Sequence, residues 1–569
     1  MLNFSIKNSP KLAYYWLSRI FNGNGSIGQA KNRKRCPGHR QWNNYQHLEE
    51  KRVLATVFLD AQGVLWATGT PNDDSMRASI VQSNVRVTIN NQNFDKPASQ
   101  VQRLVFFGLD GNDTIINDTS LPSTMYGNGG DDVLIGGSSN DVLIGGPGND
   151  RLEGRDGDDV LRGVSGENIL LGGNGNDLIF GGLGGNNNIR GGNGNDVIFA
   201  GDQQDEIFGD AGDDQIWGGL GSHTIYSGSG KNTVMGGQGN DVIYSQGIGD
   251  WVHGVQGDDI IYANGSNGRI FGGVGNDSLY ATGNNNTLFG GPGNDGFLAY
   301  GSDNTLGNTG IGKNRILIRP GRTVPENSAG NAVIRFVNAT SNWNFKEMEA
   351  IDRGLRALHH RTGGIMVLKD TTSNLPLTIA KHRTNDTVMQ GLDGLNELEG
   401  SFQTNSQGNI VSETYTRTIR IADFNENDSH AYRWAGLLVI HEISHNWDSE
   451  YEINRRLPDQ GKLWNEFQSI SSWRNTNPNS SSFTQAPLQT FEPFEYRIVN
   501  GNPQPTIRDW WYRSSSSFVR SYGTLNAKED WAVSWEYVFM PEVYGSIMPE
   551  FQNVPAKTAK VNQLLDLMS

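Results

Sequence analysis

The sequence predicts a multidomain chain in which a parallel β-roll precedes an α+β domain. Three features of the 569 residues predict this order. Apolar and polar residues first alternate, a nine-residue period then runs from Gly127 to Gly307, and helical and strand-like patterns follow it. The expected divisions are a basic amino-terminal segment (1–52), a β-rich cap (53–126), the roll (127–310) and the α+β domain (311–569).

The composition limits the classes of function. The formal net charge of −15 argues against a nucleic-acid partner and against an anionic membrane surface. No run of 18 apolar residues is present, so we expect no membrane span. Cys36 is the single cysteine, which excludes an internal disulfide. The fold must therefore be stabilised by packing or by metal ions.

The amino-terminal segment contains a basic cluster, KNRKRCPGHR, followed by HLEEKRVLA at 47–55. Its apolar stretch VLATVFL ends at Asp60 and is too short for an ordinary signal peptide. The run LEEKRVLA resembles a short LE-x-R-x-L-A motif that heads many exported surface proteins of one bacterial group. A disordered basic tail is the alternative.

The segment before the repeat predicts β-structure. The stretches TVFLDAQGVLWATG and SNVRVTI alternate apolar and polar residues, as half-buried strands do. A roll needs such a cap because its first coil would otherwise expose an unpaired edge. GLDGNDTII, at 108–116, is already one good repeat unit.

The repeat begins GNGGDDVLI, GGSSNDVLI, GGPGNDRLE, GRDGDDVLR, and twenty consecutive units fit, one of them with ten residues. The eighth place is aliphatic in every unit except at Phe297. This predicts a short strand whose middle side chain points inward, after a turn that glycine permits. Two units would form one coil, and stacked coils would bury the aliphatic ladder. A flexible glycine-rich linker is the alternative, but it has no reason to keep this period.

The consensus GGxGxDxUx resembles the RTX (hemolysin-type) calcium-binding repeats. The resemblance implies several structural calcium ions, held between coils by turn carbonyls and by the aspartate at place six. Calcium prefers such oxygen ligands. Alternate units place these residues in two rows, one on each edge of the roll. Neither row has aspartate throughout, and the better row of calcium ligands changes from one edge to the other near residue 223.

Alternate units place the place-six residues on two edges of the roll. Edge one carries Asp141, Asp159, Asp177, Asp196, Asp214, Asn232, Asp250, Gly268, Asn286 and Asn304; edge two carries Asp132, Asp150, Asn168, Asn187, Asp205, His223, Asp241, Asp259, Asp277 and Asp295. The eleven aspartates other than Asp205 and Asp250 are the candidate calcium ligands.

Beyond residue 310 the sequence predicts ordinary α+β structure. FKEMEAIDRGLRALHH (345–360) has helical spacing, with Asn342 as a candidate cap. Strands are expected at 364–368, 377–380 and 418–421.

The stretch HEISHNWD follows, at 441–448, in an apolar run with Asp428 and Ser429 as candidate N-caps. On a helix His441 and His445 share one face and can bind one metal ion, with Glu442 beside them as a general base. The alternative is a buried helix with two hydrogen-bonded histidines.

The third zinc ligand must lie elsewhere. The extended motif HExxHxxGxxH fails, because Asp448 and Tyr451 stand at its glycine and histidine places. Asp448 could instead accept a hydrogen bond from His445, or be a surface carboxylate.

A later stretch, SYGTLNAKEDWAVSWEYVF (521–539), supplies a candidate. It resembles the Y-x6-E-[DF]-[FW]-A segment of the anthrax lethal factor-like zinc peptidases. The resemblance implies that Glu529 is the third zinc ligand and that Tyr522 stabilises the oxyanion. It is partial, because Val533 stands where that family often has a second glutamate. The alternatives are a solvated helix-start carboxylate and a packed loop aromatic.

The sequence therefore predicts an extracellular or cell-surface zinc-dependent metalloendopeptidase with one catalytic zinc, several calcium ions and a peptide or protein substrate. One alternative is a calcium-dependent adhesion or matrix protein with an inactive peptidase-like domain. Another is a zinc hydrolase of a non-peptide bond. Zinc stoichiometry separates the first two hypotheses.

Overall fold

The computed structural model describes residues 55–307, 312–320, 331–362, 377–382, 394–404, 410–422, 429–444, 483–485, 490–499, 502–508, 511–513, 527–544 and 554–568. The basic segment 1–52 and the expected strand at 364–368 lie outside them. Within these ranges, no helix is both long enough and apolar enough to cross a membrane.

Two sheets form the roll, and from Arg103–Asp110 to Arg315–Ile318 successive strands alternate between them. Sheet A has fourteen strands, which are parallel except for the antiparallel first strand. Its strands are Thr56–Leu59, Val64–Thr68, Arg103–Asp110, Ser123–Gly129, Val142–Pro147, Val160–Ser165, Leu178–Gly182, Val197–Gly201, Gln215–Gly219, Thr233–Gly237, Trp251–Gln256, Arg269–Val274, Thr287–Phe289 and Thr305–Leu306.

Sheet B starts with an antiparallel three-stranded cap and then runs parallel along the roll. In order of pairing its strands are Gln92–Pro97, Asn84–Ile89, Ser75–Val81, Thr114–Asp118, Val133–Ile135, Arg151–Asp156, Ile169–Asn174, Asn188–Asn193, Glu206–Ala211, Thr224–Tyr226, Val242–Ser245, Ile260–Ala263, Ser278–Ala281, Gly296–Ala299, Arg315–Ile318, Ala332–Asn338, Leu377–His382, Ile410–Ala422 and Gly394–Thr404.

Sheet B does not end with the glycine repeat. Arg315–Ile318 pairs in parallel with Gly296–Ala299, and Ala332–Asn338 pairs in parallel with Arg315–Ile318. Backbone pairing then continues through Leu377–His382 to Ile410–Ala422. The roll and the sheet of the α+β region are therefore one hydrogen-bonded surface.

The core of the roll is the aliphatic ladder that the nine-residue period predicts. From Leu134 to Leu288 the place-eight side chains are fully buried, and Phe297 is 1% exposed. Each contacts the equivalent side chain one coil away, as the pairing of Leu152 with Leu170 shows. This continuous contact is the main apolar stabilisation of the roll.

Four described helices cover the outer face of sheet B and one another. We name them α1 (Phe345–Thr362), α2 (Ser429–Ser444), α3 (Ala527–Tyr544) and α4 (Pro555–Met568). Two antiparallel two-stranded sheets, Phe483–Gln485 with Trp511–Arg513 and Thr490–Val499 with Asn502–Arg508, and a short 3-10 helix at Ala98–Gln100 complete the described elements. One apolar core contains side chains from the roll, such as Tyr280 and Leu298, together with side chains of all four helices.

The start of α1 differs from the sequence expectation. Asn344, not Asn342, caps it: the Asn344 side chain accepts the Glu347 amide at 3.0 Å, and Glu347 accepts the Asn344 amide at 3.0 Å. This reciprocal pair is a capping box with asparagine in the serine or threonine place. Lys381 Nζ contacts the same Glu347 carboxylate at 2.6 Å, which ties α1 to sheet B.

A buried polar cluster fixes α1 to the roll. Arg315 Nε donates to Asp352 Oδ1 at 2.6 Å, and Tyr280 OH donates to Asp352 Oδ2 at 2.6 Å. Closer to the middle of the roll, Tyr262 OH donates to Glu349 Oε1 at 2.8 Å. These side chains join the last coils of the roll to the first helix of the α+β region.

Candidate metal sites of the roll and the histidine helix

The place-six aspartates connect one coil to the next. The Asp159 amide donates to Asp177 Oδ1 at 2.8 Å, and the Asp177 amide donates to Asp196 Oδ1 at 2.8 Å. Edge two has the same bond, for example from the Asp241 amide to Asp259 Oδ1 at 2.8 Å. One carboxylate oxygen of each aspartate is therefore used within the protein.

The other carboxylate oxygen is buried and has no hydrogen-bond partner among the described residues. A buried oxygen of this kind is costly unless a donor or a cation satisfies it. The unpaired Oδ2 atoms belong to Asp113, Asp132, Asp150, Asp159, Asp177, Asp196, Asp205, Asp214, Asp241, Asp259, Asp277 and Asp295.

The turn glycines leave a space beside these oxygens. A Cβ on Gly127 would overlap Asp132 Oδ2 and would lie 2.8 Å from the carbonyl oxygen of Gly145. On edge one, a Cβ on Gly191 would overlap Asp196 Oδ2 and lie 2.9 Å from the Gly209 carbonyl oxygen. Each space is lined by hard oxygen donors from successive coils, and this donor set fits calcium.

Burial also changes the acidity of the aspartates. Loss of solvation, with a smaller effect from neighbouring carboxylates, raises the pKa values of Asp159, Asp259 and Asp277 to about 8. For Asp132 and Asp196 burial raises the pKa to about 6. Without a cation the carboxylates of Asp159, Asp259 and Asp277 would therefore hold protons at neutral pH.

Edge one changes its chemistry after residue 227. Asp250 Oδ2 accepts hydrogen bonds from Ser245 Oγ at 2.7 Å, Ser227 Oγ at 3.1 Å and the Gly247 amide at 3.1 Å. Farther along, Asn286 Nδ2 donates to the Gly265 carbonyl oxygen at 2.9 Å. On this part of edge one, serine hydroxyls and asparagine amides donate hydrogen bonds to the oxygens that a cation would otherwise bind.

The eleven candidate aspartates from the sequence all lie on the two edges, at buried positions. Ten have an unpaired Oδ2; the exception is Asp141, whose Oδ2 accepts the Gly137 amide at 2.6 Å. Asp113 and Asp205 have the same unpaired oxygen and were not among the eleven. GLDGNDTII shows Asp113 at place six before the regular repeat, and Asp205 stands at place six of AGDQQDEIF, so both could have been found.

Helix α2 contains His441, the first histidine of the pair predicted from HEISH, and packs between α1 and α3. The backbones of α1 and α2 meet at two glycines: a Cβ on Gly354 would overlap the Gly436 carbonyl oxygen. A Cβ on Gly436 would lie 2.7 Å from Val543 Cγ1 of α3. No larger residue fits this crossing without displacing a helix.

The side chains of His441 and Glu442 are both buried, at 5% exposure each. Ser444 Oγ donates to the His441 carbonyl oxygen at 2.6 Å. Because these two polar side chains are buried among apolar residues of the helices, they indicate a polar site inside the core and not a helix face exposed to solvent.

The side chains of the other residues predicted for the zinc site are not among those that the structure describes. His445, Asp448 and Tyr522 lie outside the described residues, and Glu529 lies in α3 at a position whose side chain is not described. Within the described ranges, no three His, Cys, Asp or Glu side chains form a group that could hold a metal ion. The zinc ligand set stays a prediction.

Comparison with known proteins bears on the roll. The family model for the RTX calcium-binding nonapeptide repeat, which spans four copies, matches residues 126–161, 153–187, 182–216, 208–243, 244–279 and 262–297. No curated protein matches the chain. The unpaired aspartate oxygens and glycine spaces of the roll lie within and beside these matches. Residues 126–297 are therefore a set of RTX calcium-binding nonapeptide repeats, folded as a parallel β-roll.

Proposed function

We propose that the chain is a secreted or cell-surface zinc metallopeptidase whose fold is stabilised by calcium bound along the roll. The observation that carries the calcium part is the row of buried Oδ2 atoms that have no partner among the described residues. The peptidase part is supported by the HEISH sequence on α2, by the burial of His441 and Glu442, and by the packing of α2 on α3, the helix that contains Glu529. It is also supported by the resemblance of 521–539 to the lethal factor-like peptidases.

Calcium would occupy the spaces between successive coils, held by aspartate Oδ2 atoms and glycine carbonyl oxygens. Positive charge there would remove the cost of burying ionised carboxylates and their mutual repulsion. The roll would then be folded where calcium is plentiful and weakened where it is scarce. Extracellular calcium modules typically bind in the range of about 10⁻⁴ to 10⁻³ M, which suits a protein that folds after export.

The residues proposed to hold zinc are His441, His445 and Glu529. Two imidazoles and a carboxylate are a donor set that suits zinc and leaves a position for water. Bound zinc supplies a Lewis acid and lowers the pKa of its water. Glu442 would accept a proton at its carboxylate and return it to the leaving amine. The Tyr522 hydroxyl would donate a hydrogen bond to the developing oxyanion.

The decisive experiment compares the full chain with Glu442→Gln and with the matched control Glu153→Gln, which changes a partly exposed carboxylate of the roll. Each protein is purified with calcium, analysed for zinc and incubated with a peptide library. We expect wild type and the Glu153 variant to bind one catalytic zinc and cleave peptides. The Glu442 variant should keep its zinc and lose cleavage.

Other outcomes point elsewhere. Cleavage by the Glu442 variant at the wild-type rate would disprove the assignment of the general base. A wild-type protein that binds calcium but neither zinc nor peptide would favour the adhesion or matrix hypothesis.

A further inference from the structure

The aspartates with an unpaired Oδ2 form runs that change edge along the roll. The first run lies on edge two, the second on edge one, and the third on edge two again. They contain Asp113, Asp132 and Asp150; Asp159, Asp177, Asp196 and Asp214; and Asp241, Asp259, Asp277 and Asp295, respectively, and Asp205 stands apart from them. The candidate calcium positions therefore move from one edge to the other twice.

Beside the third run, the protein's own donors close edge one. Asp250 accepts two serine hydroxyls and the Gly247 amide, and Asn286 donates to the Gly265 carbonyl oxygen. Among the described residues, edge one has no buried, unpaired carboxylate oxygen at place six after Asp214. Calcium bound along these coils would therefore act on edge two alone.

The edge decides which sheet a bound ion adjoins, because each place-six residue directly precedes a strand. Asp177, on edge one, precedes Leu178–Gly182 of sheet A, whereas Asp277, on edge two, precedes Ser278–Ala281 of sheet B. The strand residues in the core shared with the four helices all belong to sheet B. The third run thus leads into the roll strands that pack against the helices.

Asp277 begins a strand that contacts α1 directly. Tyr280 follows it by three residues on that strand and is 3% exposed. The Tyr280 hydroxyl donates to Asp352 Oδ2 at 2.6 Å, and Asp352 is also the carboxylate that pairs with Arg315. A displacement of the Asp277 turn would therefore be passed along one short strand to the buried polar cluster that fixes α1.

The preceding coil repeats this arrangement. Asp259 lies three residues before Tyr262, whose hydroxyl donates to Glu349 Oε1 of α1 at 2.8 Å. Near the other end of α1, His360 Nε2 lies 3.9 Å from Oδ2 of Asp258, the residue next to Asp259 in the turn. Helix α1 therefore contacts both a strand and a turn of the third run.

Empty positions in the third run would leave buried carboxylates whose charge is not balanced, which is costly. A cation removes that cost only where the turns are folded, so calcium favours the folded turns, their strands and the helix docked on them. We propose that calcium binding to the third run controls the docking of the helical layer, α1 to α4, on sheet B, and that the first two runs do not. The proposal rests on calcium binding by the roll and does not involve the zinc site.

The chain offers a matched pair of substitutions, Asp277→Asn and Asp177→Asn. Each aspartate is 1% exposed, has an unpaired Oδ2, and accepts the amide of the coil before it, from Asp259 at 2.9 Å and from Asp159 at 2.8 Å. Asparagine keeps this acceptor, as Asn168 does for the Asp150 amide at 2.9 Å. The two variants therefore remove the same ligand oxygen from strands of different sheets.

The experiment measures hydrogen exchange by mass spectrometry on the full chain, at a series of free calcium concentrations. The calcium midpoint for protection is determined separately for α1 and for residues 154–214, which contain the second run. Asp277→Asn should raise the midpoint of α1 by about 5-fold or more, the lower end of typical coupling between sites. Asp177→Asn should raise the midpoint of residues 154–214 and leave that of α1 unchanged.

The contrary outcomes are distinct. An α1 midpoint that is unchanged in Asp277→Asn, or that shifts equally in the two variants, would overturn the proposal while leaving calcium binding by the roll intact. Protection of residues 154–214 that does not depend on calcium in wild type would instead reject calcium binding itself, and with it this proposal.

A second pair of variants serves if Asp277→Asn does not fold. Tyr280→Phe removes only the hydroxyl that Asp352 accepts, and its control is Tyr226→Phe in the same stacked row, where the ring packs on Phe208 and Tyr244. Tyr280→Phe should weaken the protection of α1 and raise its calcium midpoint, whereas the control should match wild type. Equal α1 protection in both variants at every calcium concentration would overturn the link between the third run and α1.

Discussion

Arg315 and Asp352 form an ion pair in which each side chain is only 1% exposed, with Arg315 Nε 2.6 Å from Asp352 Oδ1. Arg315 lies on a strand that continues the roll, and Asp352 lies on α1. The Arg315 guanidinium also covers Gly296, beside Asp295, the last aspartate of edge two. The attachment of the helical layer and the last candidate calcium position are therefore neighbours.

Removing one partner of this pair should be strongly destabilising. Asp352→Asn would leave a buried guanidinium without its counter-charge, and losses of about 3–5 kcal/mol are typical. The control is Asp95→Asn, which breaks the pair with Arg86 on the solvent-facing side of the cap and should cost much less, because water screens that pair. Urea unfolding in calcium, followed by tryptophan fluorescence, measures both. Similar losses in the two variants would mean that the buried pair does not hold α1 to the roll.

The acidity of the ladder predicts how pH acts on the metal-free roll. Burial raises the pKa values of Asp159, Asp259 and Asp277 from 3.8 to about 8, so between these values the folded chain binds more protons than the unfolded chain. In chelator, the stability that these three groups contribute is fully present below about pH 4 and is lost as the pH rises through about 8. Thermal unfolding at a series of pH values, with EDTA, should show this fall. A metal-free roll that becomes more stable from pH 5 to pH 8 would contradict it.

Calcium should reverse this dependence. The metal binds the ionised carboxylates and competes with protons, so calcium affinity should rise from pH 6 to pH 8. A calcium titration followed by circular dichroism at each pH measures the effect. An affinity independent of pH over this range would show that the buried aspartates are not the ligands.

Two aspartates on opposite edges provide a matched pair. Asp259→Asn removes an unpaired Oδ2 and should lower the number of bound calcium ions or their affinity. Asp250→Asn changes a carboxylate that already accepts two serine hydroxyls, so calcium binding should not change. Asn286→Ala should likewise have no effect on calcium. Equal calcium losses from the Asp259 and Asp250 substitutions would contradict the distinction between the two kinds of position.

The proposed zinc ligand on α3 is tested by substitution. Glu529→Ala should lose zinc, whereas Glu536→Ala, a change on the same helix, should keep it. Tyr522→Phe should retain zinc and lose catalytic rate by about 10²-fold if its hydroxyl stabilises the oxyanion. Zinc content and peptide turnover separate these cases. Normal zinc in the Glu529 variant would direct the search to another carboxylate after residue 450.

The roll could be predicted in detail because one side chain in nine is forced inward. The place-eight ladder from Leu134 to Leu288 and the assignment of alternate units to opposite edges follow from that period. The repeat also indicates which coils have an open, glycine-lined space beside an aspartate. It does not show that two serine hydroxyls satisfy the Asp250 carboxylate, because Ser227 belongs to a different unit and Ser245 is not a consensus residue of its own unit.

Other features could not be predicted. The strand Arg315–Ile318 extends sheet B without any glycine period, because backbone pairing does not depend on the turn sequence. The cap of α1 is an exception: Asn344 and Asn342 are equally good by residue type, but Glu347 follows Asn344 by three residues, which is the capping-box spacing that the sequence already shows. The position of His441 relative to the other helices depends on how α1, α2 and α3 cross, and close approaches such as that of Gly354 to Gly436 decide this crossing.

The continuous pairing of sheet B gives the roll a fixed spacing along its length. Neighbouring strands are spaced by about 4.8 Å, and strand follows strand without interruption from Thr114–Asp118 to Ile410–Ala422. A polypeptide or surface bound at one coil would lie a fixed number of these steps from the helices that cover the far end of the sheet. Inserting or deleting one eighteen-residue coil would move it by one such step relative to the helices.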